Sequence, residues 1–564
     1  MRKSFYRLFL MLIPLSLAIC PSLHSVTSND AGDLAKFIKD YETKVEPLYK
    51  NATEASFDAR ISGKEKDYKH AADLAFKLNN LYTNKDDFKF LEKIKKHNKI
   101  KDPDLKRELL IIYNAYKGNQ IDPKKLEDMI KLQSEIENKF STFRANVNGK
   151  SLTDNQVEDV LKTSTDSNEL KGAWLASKNI GNIVAPDIVK LVKMRNAAAK
   201  ELGFKNYHEM SLKLSEQDPR DIEKLFDELD RLTRPSFISL KKDINKFLAQ
   251  KYNTSSSKLM PWHYQNRYFQ EAPKIYSLDM DVYYKDKDLV EITGDYYKGI
   301  GLPIDDVIDR SDLYEKPGKY QHACCDNIDR KQDIRVTCNI KPNEYWMDTV
   351  LHENGHATYE KWLDQSMPWS FREPAHTFTT EAIAMMFGRM AMNPQWLHDV
   401  IGVSKEEQNK ISDTSFKILR LNQLVFSRWA QVMYRFEKSM YENPEQDLNK
   451  LWWKLVEKYQ LIKKPAGRHE PDWATKIHIA LYPAYYHNYL MGELLASQLN
   501  YYIAKNIIKS KDIKNQSYAN NKDVGKYLAE KVFAPGRKYY WDDMIKKATG
   551  EKLTAKYYAK QFVN

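Results

Sequence analysis

The sequence predicts a mostly α-helical chain with one small β-sheet near its middle. Three observations carry that expectation: aspartate–proline pairs that open stretches of helical periodicity, one short run of strict alternation, and no linker-like segment between them. Asp122-Pro123 is one such pair. The aspartate can accept from the free amides of a first helical turn. Proline fits the first helical position, where an N–H would be unpaired anyway. Leu126, Met129, Ile130 and Leu132 follow as the apolar residues of that helix. Asp218-Pro219 opens another, whose Ile222, Leu225, Phe226, Leu229 and Leu232 share one face. The exception is Ile334, Val336, Cys338 and Ile340, which alternate with polar residues as a half-buried strand does, until Pro342 interrupts the run. A further helix follows. With no fixed-period repeat and no low-complexity linker, the expectation is one large unit with two lobes.

The bulk numbers agree with a folded body. The chain has 564 residues, 42% of them apolar, with 35 Tyr, 22 Phe and 11 Trp, enough for a large core and too apolar for disorder. Net charge is +12. Lysines are scattered and interleaved with acids, as on solvated helix faces, so no nucleic-acid partner is expected. At the N-terminus Arg2, Lys3 and Arg7 precede an apolar run from Leu8 to Ile19. A basic start and a short apolar core read as a secretory signal, too short for a comfortable membrane span. The expectation is a signal peptide over 1–25 with an open cleavage site, a single catalytic domain over 26–564, and an exported protein, periplasmic or secreted. Membrane attachment is possible only through the N-terminal segment. Oligomeric state is open. Export would place Cys324, Cys325 and Cys338 in an oxidising compartment, where one disulfide could form and one thiol remain; which pair forms is open.

The segment Val350-Leu351-His352-Glu353-Asn354-Gly355-His356 carries HExxH. Residues four apart share a helix face, so His352 and His356 can aim two imidazoles at one metal, and Glu353 beside them can reach a nucleophilic water. In a later apolar stretch, Thr379-Thr380-Glu381-Ala382-Ile383-Ala384-Met385-Met386, one carboxylate stands among Ala, Ile and Met. Burying it unpaired would be costly, and a metal would satisfy it. His352, His356 and Glu381 are the expected ligands of one catalytic Zn2+, with an open position for chemistry.

These residues, with others along the chain, resemble the angiotensin-converting-enzyme family of zinc peptidyl dipeptidases, a gluzincin group. The likeness runs diffusely from Ala35-Lys36-Phe37-Ile38 to Trp541-Asp542-Asp543-Met544-Ile545, and more specifically between. The resemblance implies a mostly α, two-lobed helical metallopeptidase fold around a deep central cleft, with a small β-sheet beside the HExxH helix. It implies that His322 and Ala323 line the cleft and hold the substrate backbone. Lys476, in Lys476-Ile477-His478, would bind the C-terminal carboxylate of a short peptide substrate. Tyr486, in Tyr485-Tyr486-His487-Asn488-Tyr489, would assist it, as would Gln265. His478 would bind peptide backbone, and Tyr489 would donate to the oxyanion. Glu353 would be the general base. Cys338 matches a family cysteine whose usual disulfide partner falls at Gln321 here, so a bridge would use Cys324 or Cys325. Two departures stand out. Asn488 replaces the arginine that binds chloride in animal members, and Met385 replaces an aspartate that orients a zinc histidine, so another acceptor is needed.

Two other readings compete. The Glu381 spacing is one residue longer than the family's and is similar to that of the thimet-oligopeptidase and oligoendopeptidase family, whose members would cut within short peptides. A catalytically silent peptide-binding homologue is the third reading, against which the intact Glu353 argues.

Overall fold

A computed structural model describes residues 29–563. The expected signal peptide and Cys20 lie outside the described residues. The described chain is mostly helical, with two small two-stranded antiparallel sheets. Among the described residues, no helix is long and apolar enough to cross a membrane.

Both aspartate–proline starts form as expected. Asp122 accepts from the amides of Lys124 and Lys125 at the head of helix Pro123–Thr142. Asp218 accepts from the Arg220 amide at the head of helix Pro219–Lys251. Ile222, Leu225, Phe226 and Leu229 are buried, and Leu232 partly so. In the first helix Met129, Leu132 and Ile136 face the core, three and four residues apart. Ile130 is exposed, contrary to the pattern, because the next residue along a helix turns about 100° away from the one before.

The central sheet pairs Cys324–Asn327 with Ile334–Thr337, with Cys324 opposite Thr337 and Cys325 opposite Val336. The strand is shorter than the alternation suggested. Beyond Thr337 the chain leaves the hairpin and bonds instead to the preceding connection: the Cys338 amide donates to the Asp312 carbonyl and the Ile340 amide to that of Leu313. This hairpin packs on the helix Glu344–Lys361, which carries HExxH. Asn343 caps that helix by accepting from the Trp346 amide. Cys324, Cys325 and Cys338 are all free thiols, so the disulfide implied by the resemblance is not formed.

The main hydrophobic core runs from Met129 to Phe562 and encloses the HExxH helix. A second core joins the N-terminal helices through Leu34, Ile38, Leu91 and Ile112, and Trp369 is part of it.

Candidate functional site

Three helices build the centre. The HExxH helix lies against Thr377–Gly388, which carries Glu381, and that helix lies in turn against His487–Tyr502, which carries Tyr489. Small residues set both contacts. A Cβ on Gly355 would stand 2.7 Å from the Ala384 Cα and 3.1 Å from its amide nitrogen, so only glycine lets the two backbones approach. A Cβ on Gly492 would stand 3.2 Å from the Glu381 Cβ and 3.3 Å from the Met385 sulfur. Gly355→Ala is therefore expected to lower stability by about 1–3 kcal/mol, as overpacking does when backbone must move. Thermal unfolding of the variant checks this, and an unchanged midpoint would mean the helices can part freely.

Within this packing His352 Nε2 lies 3.8 Å from Glu381 Oε2, and His356 Nε2 lies 3.9 Å from the same oxygen. One ligand atom from each of the three residues falls within 4.8 Å of the others. A tetrahedral zinc with bonds near 2.0–2.2 Å wants ligand atoms about 3.4 Å apart. The two histidine–glutamate separations therefore exceed that spacing by only a few tenths of an ångström, and two imidazoles with a carboxylate are a zinc donor set. The side chains keep 23% (His352), 17% (His356) and 14% (Glu381) of their surface exposed. All three are largely buried yet keep some contact with solvent.

Electrostatics point the same way. Burial pushes His352 down to about 4 and His356 well below the usual range, so both rings are neutral and available as ligands. Burial pushes Glu381 up to about 7. Glu353 rises to about 8, first through burial and then through the negative charges of Glu381 and Asp326. Such carboxyls are costly to ionise in place, and a bound dication would reverse that cost. His356 Nδ1 lies 2.8 Å from Thr380 Oγ1. Met385, by contrast, packs against Gly492.

The second half of the site is an aromatic chamber around Lys476. This lysine is 9% exposed, and its ammonium lies 5.2 Å from the ring centre of Tyr268 and 5.8 Å from those of Trp429 and Tyr486. Burial draws it down to about 8, and the nearby Arg267 charge adds to that. The Tyr486 oxygen accepts from Trp429 Nε1 at 2.7 Å, which leaves the tyrosine proton free to donate. His478 stands edge-on to Tyr486 with ring centres 5.1 Å apart. Its Nδ1 is buried and has no hydrogen-bond partner. Tyr489 lies beside both Tyr486 and Tyr485, at 5.4 and 5.3 Å, and its hydroxyl feels the charge of Glu381. A continuous line thus runs from Lys476 through Tyr486 and Tyr489 to Glu381.

Not every expected residue joins this line. Gln265 is buried elsewhere, its amide oxygen accepting from the Lys274 amide. The amide that meets Lys476 is that of Gln270, whose Oε1 accepts from Nζ at 2.7 Å. Gln270, and not Gln265, is the glutamine set against Lys476. Gln265 and Phe269 have φ of 59° and 52°, and two such reversals within five positions scramble which side chain faces where. His322 is exposed beside Tyr320, and Ala323 leads into strand Cys324–Asn327. That strand runs along Glu353, whose charge reaches the thiols of Cys324 and Cys325. Asn488 is buried and accepts from Gln217, whose own amide oxygen is bonded to His487 at 2.7 Å. Neutral amides therefore occupy the position where the resemblance would place a chloride-binding arginine. Trp429, Thr380 and Gln270 were not legible from spacing, because each meets its partner across tens or hundreds of residues.

A family model described as angiotensin-converting enzyme matches residues 28–562. The angiotensin-converting enzyme of Theromyzon tessulatum is 23% identical over 569 residues, covering 94% of this chain and 90% of that protein. Those of Mesocricetus auratus and Rattus norvegicus are each 22% identical over 76% of this chain. The chain spans about a third of the length of those two, 35% in each case.

Proposed function

This chain belongs to the angiotensin-converting-enzyme family of metallopeptidases, and from that membership we propose that it releases dipeptides from the free C-termini of short peptides. The observation that carries this reading is the chamber of Lys476, Gln270 and Tyr486 beside the metal-ligand triad. A cation placed among aromatic rings, with a neutral amide as its recorded hydrogen-bond partner, is suited to a carboxylate brought by the substrate. An enzyme that cuts inside peptides has no need of it.

In this reading His352, His356 and Glu381 hold one zinc ion. Zinc, when bound, polarises the scissile carbonyl and acidifies a water. Glu353 takes the proton from that water and returns it to the leaving nitrogen. Tyr489 donates to the oxygen on which negative charge develops, and the unpartnered Nδ1 of His478 offers a further contact to the peptide backbone. His322 and Ala323, just before the strand beside Glu353, hold the extended substrate. Residues 26–564 act as one catalytic unit.

The test is digestion of a mixed pool of short peptides with the purified protein, followed by mass spectrometry. Dipeptides shed stepwise from C-termini support the proposal; internal cuts with no end preference would replace it with the oligoendopeptidase reading. We further propose, from the basic start and short apolar run before residue 20, that the protein is exported. Fractionated source cells should hold it outside the cytoplasm, shortened by about 20–30 residues; an intact N-terminus in the cytosol would refute this.

A further inference from the structure

We propose that Thr380 is the positioning residue for His356: it holds that imidazole in the tautomer and orientation that turn Nε2 to the metal. This rests on the reading of His356 as a ligand. The two nitrogens of the ring are already divided in the structure. Nδ1 lies 2.8 Å from Thr380 Oγ1, while Nε2 faces Glu381 Oε2 at 3.9 Å. A neutral imidazole carries one N–H. If Nε2 is to offer its lone pair to a metal, the proton must sit on Nδ1 and needs an acceptor there. Threonine's hydroxyl oxygen supplies it. The reverse arrangement, with threonine donating, would place the proton on Nε2 and spoil the ligand.

The hydroxyl's own proton then needs somewhere to go. Thr380 lines a cavity of about 280 Å³ with Glu360, Glu373, His376 and Arg537, polar and large enough for water. The mounting is rigid as well. Thr380 and Glu381 are consecutive residues of one helix pinned by glycine contacts on both sides, so one element delivers a ligand and fixes another. No hydrogen bond of this kind reaches His352 Nδ1 among the described residues. The choice of a hydroxyl also has a physical reason. Glu353 and Glu381 already repel each other, and a neutral acceptor orients the ring without adding a third negative charge.

The experiment measures zinc affinity by chelator competition for the wild type, Thr380→Val, Thr380→Ser and His356→Ala, with thermal unfolding of each zinc-free protein. Thr380→Val keeps the shape and loses the acceptor, so its affinity should fall about 10–100-fold. Thr380→Ser should recover most of it, and the zinc-free midpoints should agree. Wild-type affinity in Thr380→Val, with zinc lost from His356→Ala, would overturn the positioning role and leave the metal site standing. A lowered zinc-free midpoint with no recovery in Thr380→Ser would make Thr380 a packing residue and overturn the role. Wild-type affinity in His356→Ala would remove the ligand assignment and this proposal with it.

Discussion

Glu353→Gln is expected to retain zinc and lose turnover by about 10²–10⁴-fold, the usual contribution of a positioned acid–base group. Glu353 sits one residue after His352 on the same helix and is 8% exposed. Burial, and then the negative charges of Glu381 and Asp326, make its proton affinity high for a carboxylate. That suits a group which must take a proton from water and later release it to an amine. The glutamine variant keeps the volume and the helix while removing the basic oxygen. Metal content comes from elemental analysis and rate from a fluorogenic peptide. Near-normal turnover with zinc present would place the base on another residue.

A peptide with a free C-terminus should be cut far faster than its C-terminal amide, and Lys476→Ala should nearly erase the difference. Removing one partner of a buried charge pair costs on the order of 2–5 kcal/mol, a ratio of roughly 30-fold or more at about 1.4 kcal/mol per tenfold. Gln270→Ala should weaken the preference less, since it removes a neutral partner of the ammonium and leaves its charge. The pH dependence follows from the lowered lysine. A folded pKa of about 8 means Lys476 is charged below that pH and neutral above it. The preference for the free carboxylate should therefore shrink as pH rises past 8, later when substrate is bound because the carboxylate favours the charged ammonium. Equal rates on acid and amide at neutral pH would sink the carboxylate reading.

The sequence made the metal triad legible for a local reason. His352, Glu353 and His356 sit at spacings a helix resolves without tertiary information, and Glu381 betrays itself as an ionisable group among alanine, isoleucine and methionine. The aspartate–proline caps were legible for the same reason, since a cap depends on residues two and three positions away. Gln270 was hidden because the segment around it has no periodicity and reverses direction at Gln265 and Phe269. The free thiols were hidden too: cysteine spacing does not reveal strand register, and Cys324 faces Thr337 and not Cys338. Ile130 shows the limit of counting apolar residues, for only the shared face of a helix reaches the core.

The glycine contacts at Gly355 and Gly492 bear on how the fold would relate to a bound metal. In small zinc modules the ion is the nucleus of the fold, and the apo chain is a coil. Here the Glu381 helix is wedged between two others by close glycine contacts, and both histidine Nε2 atoms already stand within a few tenths of an ångström of a bonded spacing from the Glu381 oxygen. Little conformational entropy is left for an ion to remove, so the free energy of binding one would go into affinity and not into folding. Such a scaffold would work as a cofactor socket, one that could be emptied and refilled without losing its architecture.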